Sequence, residues 1–276
     1  MSRERLERRF AALEAEGRAA FVAYVMAGDP DADTALQILQ GLPAAGADVI
    51  ELGFPFSDPM ADGPAIQKAA QRALKAGTNL AGTLELARRF REGDEATPLI
   101  LMGYLNPLET HGLKRFAADA AGAGVDGIIV VDAPPEESQE LDDALAGAGL
   151  SRIWLATPTT DDHRLKTVLK GASGFVYYVS VTGVTGVKEA DASAVAPHVA
   201  RIKASTPLPV AVGFGIKTPE RAAAVARVAD AVVVGSALVE EIAAALARNE
   251  TPVPKVLEVA RSLAQAVREA RVTAGV

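Results

Sequence analysis

Cysteine is absent from this 276-residue chain. That excludes disulfides, thiolate nucleophiles and cysteine metal sites, and of the redox compartment it says only that an oxidising one is not needed. Histidine is scarce: His111, His163 and His198 lie far apart, with no ligand spacing between any two, and read as surface residues. No apolar run approaches the roughly 18 residues of a membrane span. The N-terminal "MSRERLERRFAALEAEG" lacks the apolar core of a secretory signal and carries too many acids for a transit peptide. A cytoplasmic location is expected. A P-loop, a GxGxxG fingerprint and a GxSxG elbow are all missing, which removes support for nucleotide-driven and serine-hydrolase chemistry. The net charge is −7 and the bases are scattered among acids. No basic stripe exists to neutralise successive phosphates, so neither nucleic acid nor a membrane is an expected partner.

What is present is apolar mass. The chain is 49% hydrophobic and 23% charged, enough for one large core, and an α/β barrel of about 250 residues stays undivided at this length. Residues 1–276 are therefore read as one domain. Eight short runs rich in β-branched residues recur, at 21–28, 47–54, 98–105, 125–133, 152–158, 174–180, 209–216 and 230–237. Stretches of helical periodicity such as "DTALQILQGLPAAG", "LAGTLELARRFREG" and "SQELDDALAGAG" separate them. Near-continuous apolar strands alternating with helices indicate a parallel sheet covered on both faces. Eight units favour closure, hence an α/β (β/α)₈ TIM barrel over an open doubly wound sheet. An extra N-terminal helix, with Leu6, Phe10 and Leu13 on one face, precedes the barrel, and a last helix over about 254–272 completes the outer ring. Glycines in "AAGADV" and "GAGVDG" suit αL caps before the next strand. The similar units are a weak internal repeat, and no linker or low-complexity segment divides the chain.

Charge at the end of an interior strand marks the first candidate site. In "ELGFPFSDPMADGP" (51–64), alternation along the strand puts Val49, Glu51 and Gly53 on one face and Ile50 and Leu52 on the other. An inward, unpaired Glu51 has a raised pKa, as a general acid or base at neutral pH requires; the plain alternative is a glutamate salt-bridged to a buried base. The loop after it carries Asp58 and Asp62, each next to a proline or glycine, and either aspartate suits a turn. Spacing does not choose between them. A second signal is the trio "SVTGVTG" (180–186), "GFGI" (213–216) and "VGSA" (234–237) after the last three strands. Glycines there let backbone N–H groups approach an anion, and a helix opening at Gly235-Ser236 adds its positive dipole end. Singly each is a plain turn; together, after late barrel strands, they favour phosphate binding. Tyr24, Met102, Tyr104, Ile129 and Tyr177 fall near strand ends and are candidates to line a flat apolar cavity, with core packing as the alternative and the better one for Met102 and Ile129. Trp154 reads as packing.

The stretch "ELGFPFSDPMADGPAIQ" resembles the signature of the tryptophan synthase alpha subunit family. "FVAYVMAGDP", "LMGYLNP", "VDGIIVVDAPPEES", "YYVSVTGVTG", "VAVGFGIKTPE" and "VVVGSALV" resemble that family's segments in the family's order, over essentially the whole chain. The resemblance implies a carbon–carbon/carbon–oxygen lyase that cleaves indole-3-glycerol phosphate to indole and glyceraldehyde 3-phosphate, a retro-aldol step in tryptophan biosynthesis. By similarity Glu51 is the acid/base group, and Asp62, rather than Asp58, stabilises positive character at the indole nitrogen. The phosphate clamp maps to Gly186, Gly213, Gly215, Gly235 and Ser236. Tyr177 stands beside the catalytic glutamate, Tyr104 belongs to the substrate-binding set, and Thr185 meets Asp62 on closure. Tyr24 stands where a phenylalanine is frequent, which adds a hydroxyl to the indole wall.

The family has no cofactor in this chain and forms an α₂β₂ complex with a beta subunit that carries pyridoxal phosphate. The loops "PFSDPMADG" and "YLNPLETHG" resemble the surface that meets this partner. A stand-alone indole-3-glycerol phosphate lyase, a non-catalytic allosteric partner barrel and another sugar-phosphate barrel enzyme are the alternative readings.

Overall fold

The computed structural model describes residues 2–180, 192–213 and 215–271. Its strands are β1 (Ala20–Met26), β2 (Val49–Gly53), β3 (Leu99–Gly103), β4 (Gly127–Val130), β5 (Ser151–Arg152), β6 (Trp154–Ala156), β7 (Val176–Val179), β8 (Val210–Gly213) and β9 (Ala231–Val234). Its α-helices are α1 (Ser2–Ala15), α2 (Ala32–Gly41), α3 (Pro64–Lys75), α4 (Leu80–Arg91), α5 (Leu105–His111), α6 (Leu113–Gly122), α7 (Gln139–Gly147), α8 (Asp162–Leu169), α9 (Ala192–Lys203), α10 (Pro219–Ala226), α11 (Ser236–Ala247) and α12 (Pro252–Glu269). All strand pairs are parallel. Each of the eight predicted runs holds strand. The fifth is cut in two: β5 pairs with β4 and β6 with β7, so the sheet runs β5-β4-β3-β2-β1-β9-β8-β7-β6. Ile153 joins the halves, its N–H donating to the Ile128 carbonyl at 3.0 Å, while the Arg152 carbonyl accepts from Ser173 N–H. The wall is thus the predicted barrel of eight strands, with one strand interrupted at its seam. Between β2 and β3 lie two helices, of which the periodicity shows only α4; α3, an Ala-rich segment, is the unpredicted one.

Strand alternation sorts the core into two layers. Val22, Val49, Ile100, Ile129, Tyr177 and Ala211 pack inside the barrel, whereas Phe21, Ile50, Leu52, Leu101, Val176 and Val212 pack outward against the helices. Leu6, Phe10 and Leu13 of α1 join the inner cluster, with the Phe10 and Phe175 rings 5.7 Å apart. The extra helix therefore plugs the N-terminal end of the barrel.

Aspartates, two of them buried and one half-buried, hold the strand register at the plugged end. Asp48, Asp126 and Asp230 stand just before β2, β4 and β9, and their carboxylates accept N–H bonds from Phe21 (2.9 Å), Leu99 (2.8 Å) and Val210 (2.9 Å) near the start of the preceding strand. Before β7 the hydroxyl of Ser173 does the same for Arg152 N–H at 2.9 Å. The device recurs at every second barrel strand, and it gives the weak internal repeat a structural content. Each aspartate also meets a cation: Arg18 grips Asp48 through two bonds (2.9 and 3.0 Å), Lys203 reaches Asp230 at 2.6 Å, and Asp126 holds Arg91 (2.9 Å) together with Arg5 of α1. Gly46 and Gly124, in the turns leading to β2 and β4, have φ of 101° and 80°, the left-handed conformation their sequence context suggested.

Asp126 is fully buried and serves a backbone donor, a helix and the plug at once. Removing one partner of a buried ionic network typically costs about 3–5 kcal/mol. Asp126→Ala is expected to lower the unfolding free energy by that order. Asp126→Asn, which still accepts from Leu99 N–H, is expected to lose less; denaturant melts of both variants check the ordering.

Candidate active site

At the open, C-terminal end Glu51 lies on β2, paired in register with Tyr24 of β1 on one side and Ile100 of β3 on the other. It is 1% exposed and faces inward as the alternation required, and its Oε2 makes no hydrogen bond among the described residues. Burial, and then the charge of Asp62, push its carboxyl up to about 8. No cation is among the groups that shift it. Among the described residues no base forms an ion pair with it, which counts against a glutamate neutralised by a buried base.

The loop after β2 separates its two aspartates. Asp58 is exposed and takes the Ser57 hydroxyl at 2.6 Å. Asp62 is half-buried beside Glu51, raised to about 6 by burial although the Tyr104 hydroxyl hydrogen-bonds to it and pulls the other way. The same Tyr104 oxygen accepts from Ala61 N–H at 3.0 Å, so one phenol holds the loop backbone and its carboxylate. The Phe56 ring rests 5.2 Å from that of Tyr104. Tyr24 and Tyr177, both buried, are raised in pKa by burial and then by the carboxylates: Asp62 and Glu51 for Tyr24, Glu51 for Tyr177. Five of the predicted side chains, Tyr24, Glu51, Asp62, Tyr104 and Tyr177, therefore form one electrostatically connected group.

Glycines make room for these rings. A Cβ on Gly53 would lie 2.3 Å from the Tyr24 hydroxyl oxygen, one on Gly213 2.0 Å from that of Tyr177, and one on Gly103 2.2 Å from the tip of Phe54. Gly53 and Gly213 lie on the strand next to the one that supplies the ring, and Gly103 lies on β3 beside Phe54, the residue that follows β2. Gly235 backs the Tyr24 ring, with its Cβ position 3.0 Å from Cδ1. Gly213 and Gly235, predicted as phosphate contacts, thus have a steric reason to be glycine that is independent of any anion. Gly215, at φ 73°, would meet nothing with a Cβ, and α11 opens at Ser236 with Gly235 as its N-cap and no side chain capping it. That helix end offers backbone N–H groups to an anion. Thr185 and Gly186 lie outside the described residues.

Other expectations divide. Ile129 is inner core, Met102 packs beside it, and Trp154 packs under the Arg152 guanidinium, 4.1 Å from its ring. Of the histidines only His163 is exposed; His111 pairs with Asp119 at 2.7 Å, and His198 stacks on Tyr178 at 5.4 Å, so both are half-buried rather than free on the surface. No group of three or more His, Cys, Asp or Glu that could hold a metal ion occurs among the described residues. No described helix is long and apolar enough to cross a membrane. Sequence reasoning missed Gly53 and Gly103 as seats for rings; Gly53 shares the inward face with Glu51, whereas Gly103 meets Phe54 in the outer, helix-packed layer. Also missed are the ties made by α3.

Comparison with known proteins places this geometry. The chain matches the tryptophan synthase alpha chain family over residues 10–268. It is 68% identical over 271 residues to the tryptophan synthase alpha chain of Phenylobacterium zucineum (strain HLK1) and 66% identical over 271 residues to that of Caulobacter sp. (strain K31), covering 98% of both chains in each case. Among solved structures, tryptophan synthase subunit alpha of Legionella pneumophila str. Paris superposes with a TM-score of 0.89 at 40% identity, covering 95% of this chain and 98% of that one. An aminoacrylate-bound tryptophan synthase from M. tuberculosis gives 0.85 at 33% identity, covering 95% and 99%. The barrel is thus a fold that the chain shares with these solved structures along nearly its whole length, and the chain belongs to the tryptophan synthase alpha chain family, the lyases of tryptophan biosynthesis.

Proposed function

We propose that this chain cleaves indole-3-glycerol phosphate to indole and glyceraldehyde 3-phosphate, and that Glu51 and Asp62 carry the reaction. The observation that bears most weight is the split between two neighbouring carboxyls, about 8 for Glu51 and about 6 for Asp62. Near neutrality Glu51 holds its proton while Asp62 is charged, two carboxyls in different roles set by environment.

Glu51 donates its proton to indole C3, and positive character develops at the indole nitrogen, where ionised Asp62 offsets it in a partly desolvated setting. The protonated ring is the electron sink. The hydroxyl on the adjacent glycerol carbon then gives its proton to the Glu51 carboxylate as its oxygen becomes the aldehyde carbonyl. The carbon–carbon bond breaks and its electrons return to the ring. Atoms balance without water, and Glu51 ends as it began. Tyr24 and Tyr177 form the walls for the flat ring. Gly186, Gly213, Gly215, Gly235 and Ser236 receive the phosphate, and Thr185 meets Asp62 when the site closes.

The partner we infer is a tryptophan synthase beta subunit in an α₂β₂ assembly, with pyridoxal phosphate on that partner. Met60, 76% exposed and two residues before Asp62, supports this reading. A large apolar side chain at the tip of the catalytic loop gives a partner a direct hold on the group that faces the indole nitrogen.

Glu51→Gln is expected to bind indole-3-glycerol phosphate yet lose cleavage by about 10³-fold or more, in the range of acid–base contributions; robust steady-state turnover would refute the role. Since Asp62 must be ionised and Glu51 protonated, kcat/KM is expected to fall below about pH 6 and above about pH 8. Tyr104→Phe, which frees Asp62 from a donor, is expected to shift the acidic limb upward.

Stability carries the same signature. A carboxyl raised in the folded state from 4.5 to about 8 gives stability that is complete below its unfolded value and lost as pH rises through the folded one. Glu51→Gln is therefore expected to match wild type near pH 4 and to exceed it at pH 9 by about 5 kcal/mol at most. Thermal melts across that range show whether the gap opens with pH.

A further inference from the structure

Gln67 takes no part in the proton transfers, yet it is tied to the residue that faces the indole nitrogen. It lies on α3, the helix that leaves the catalytic loop, and its Nε2 donates to the Asp62 carbonyl at 2.9 Å and to the Pro59 carbonyl at 3.3 Å. Those carbonyls end the turn that carries Asp62, which itself closes through Asp62 N–H to the Pro59 carbonyl at 3.1 Å. Ser57, Asp58, Met60 and Ala61 are exposed, so burial does little to order this stretch. Its hydrogen bonds must offset the entropy of fixing it. One side is held by the Tyr104 hydroxyl through Ala61 N–H; the other is held by Gln67.

The amide has a rigid base. Arg72, farther along α3, grips buried Asp29 at the end of β1 through two bonds of 2.7 Å each. Ala69, Ala70 and Ala73 pack against Tyr24, Met26 and Val239. The small side chains let the helix approach the barrel wall closely, and the bidentate pair stops it sliding. Gln67 thus refers the loop to the same frame that holds Glu51 and Tyr24.

We infer that Gln67 is a positioning residue whose side-chain amide aims the Asp62 carboxylate by clamping the turn that carries it. The inference rests on the reading of Asp62 as the group that faces the indole nitrogen. A misplacement of about 1 Å at such a group costs on the order of 10²-fold.

The test uses Gln67→Glu and Gln67→Met in the full chain, with indole-3-glycerol phosphate as substrate and wild type measured at each pH. At pH 8.5 the ionised glutamate has no proton to donate and sets a charge against two carbonyls. The kcat of Gln67→Glu is expected to fall about ten- to a hundredfold with KM changed less than about threefold, because the phosphate contacts lie elsewhere. Between pH 8.5 and 6 the two carbonyls favour protonation, which restores a donor, and the ratio of its kcat to wild type is expected to climb several-fold. Gln67→Met, about the same size without a donor, is expected to show the loss at every pH. A kcat at pH 8.5 within twofold of wild type for both variants overturns the inference. So does a Gln67→Glu deficit that stays constant with pH, or one that lies wholly in KM. A wild-type chain inactive on this substrate counts instead against the proposed function.

Discussion

A carboxyl in the interior of a barrel is costly to ionise, and the arrangement of the upper half of this molecule follows from it. Glu51 occupies a β2 position whose strand neighbours, Tyr24 and Ile100, give its charge no salt-bridge partner. Its free energy is therefore set by desolvation and by the one nearby carboxylate. That is unfavourable for folding and useful for chemistry, since the group keeps a transferable proton near neutral pH. The compensation lies at the other end. There α1 plugs the barrel with Leu6, Phe10 and Leu13, and Asp48, Asp126 and Asp230 pin strand starts through backbone N–H bonds and cations. The aspartates at the plugged end are paired with backbone donors and cations; Glu51 at the open end has no such partner among the described residues.

Ring size is the second constraint. Tyr24, Tyr177 and Phe54 fit only because the adjacent strand offers glycine at Gly53, Gly213 and Gly103, where any side chain would collide with the ring. Around Glu51, Tyr24 and Tyr177 face inward and packing pairs large with absent side chains, while Phe54 and Gly103 do the same in the outer layer against the helices. Two of the late-strand glycines that read as phosphate contacts, Gly213 and Gly235, serve this packing. The anion reading rests more heavily on Gly215 and the uncapped start of α11.

The loop after β2 is held differently from the sheet. Glu51 is fixed by the sheet, but Asp62 belongs to a largely exposed stretch secured by few hydrogen bonds, from Tyr104 on one side and α3 on the other. Such a stretch is low in local stability. It also carries Met60 to the surface, so contact with a partner at the loop tip bears directly on the less rigid of the two carboxyls.

The linear pattern by itself determined the barrel, because both the period of two within each apolar run and the alternation of runs with helices are local properties. It determined that Glu51 faces inward for the same reason, and that Leu6, Phe10 and Leu13 share a face. Its motifs also named the family. Turn chemistry left Asp58 and Asp62 equal and the family motif favoured Asp62; the tertiary structure added the physical difference, that Asp62 and not Asp58 meets Glu51 and Tyr104. Only the tertiary structure showed the fifth strand divided at Ile153, Gly53 and Gly103 as seats for rings, and Gln67 reaching back to the loop. Those facts depend on side chains from separate segments meeting in space, and burial, charge coupling and collision have no local signature along the chain.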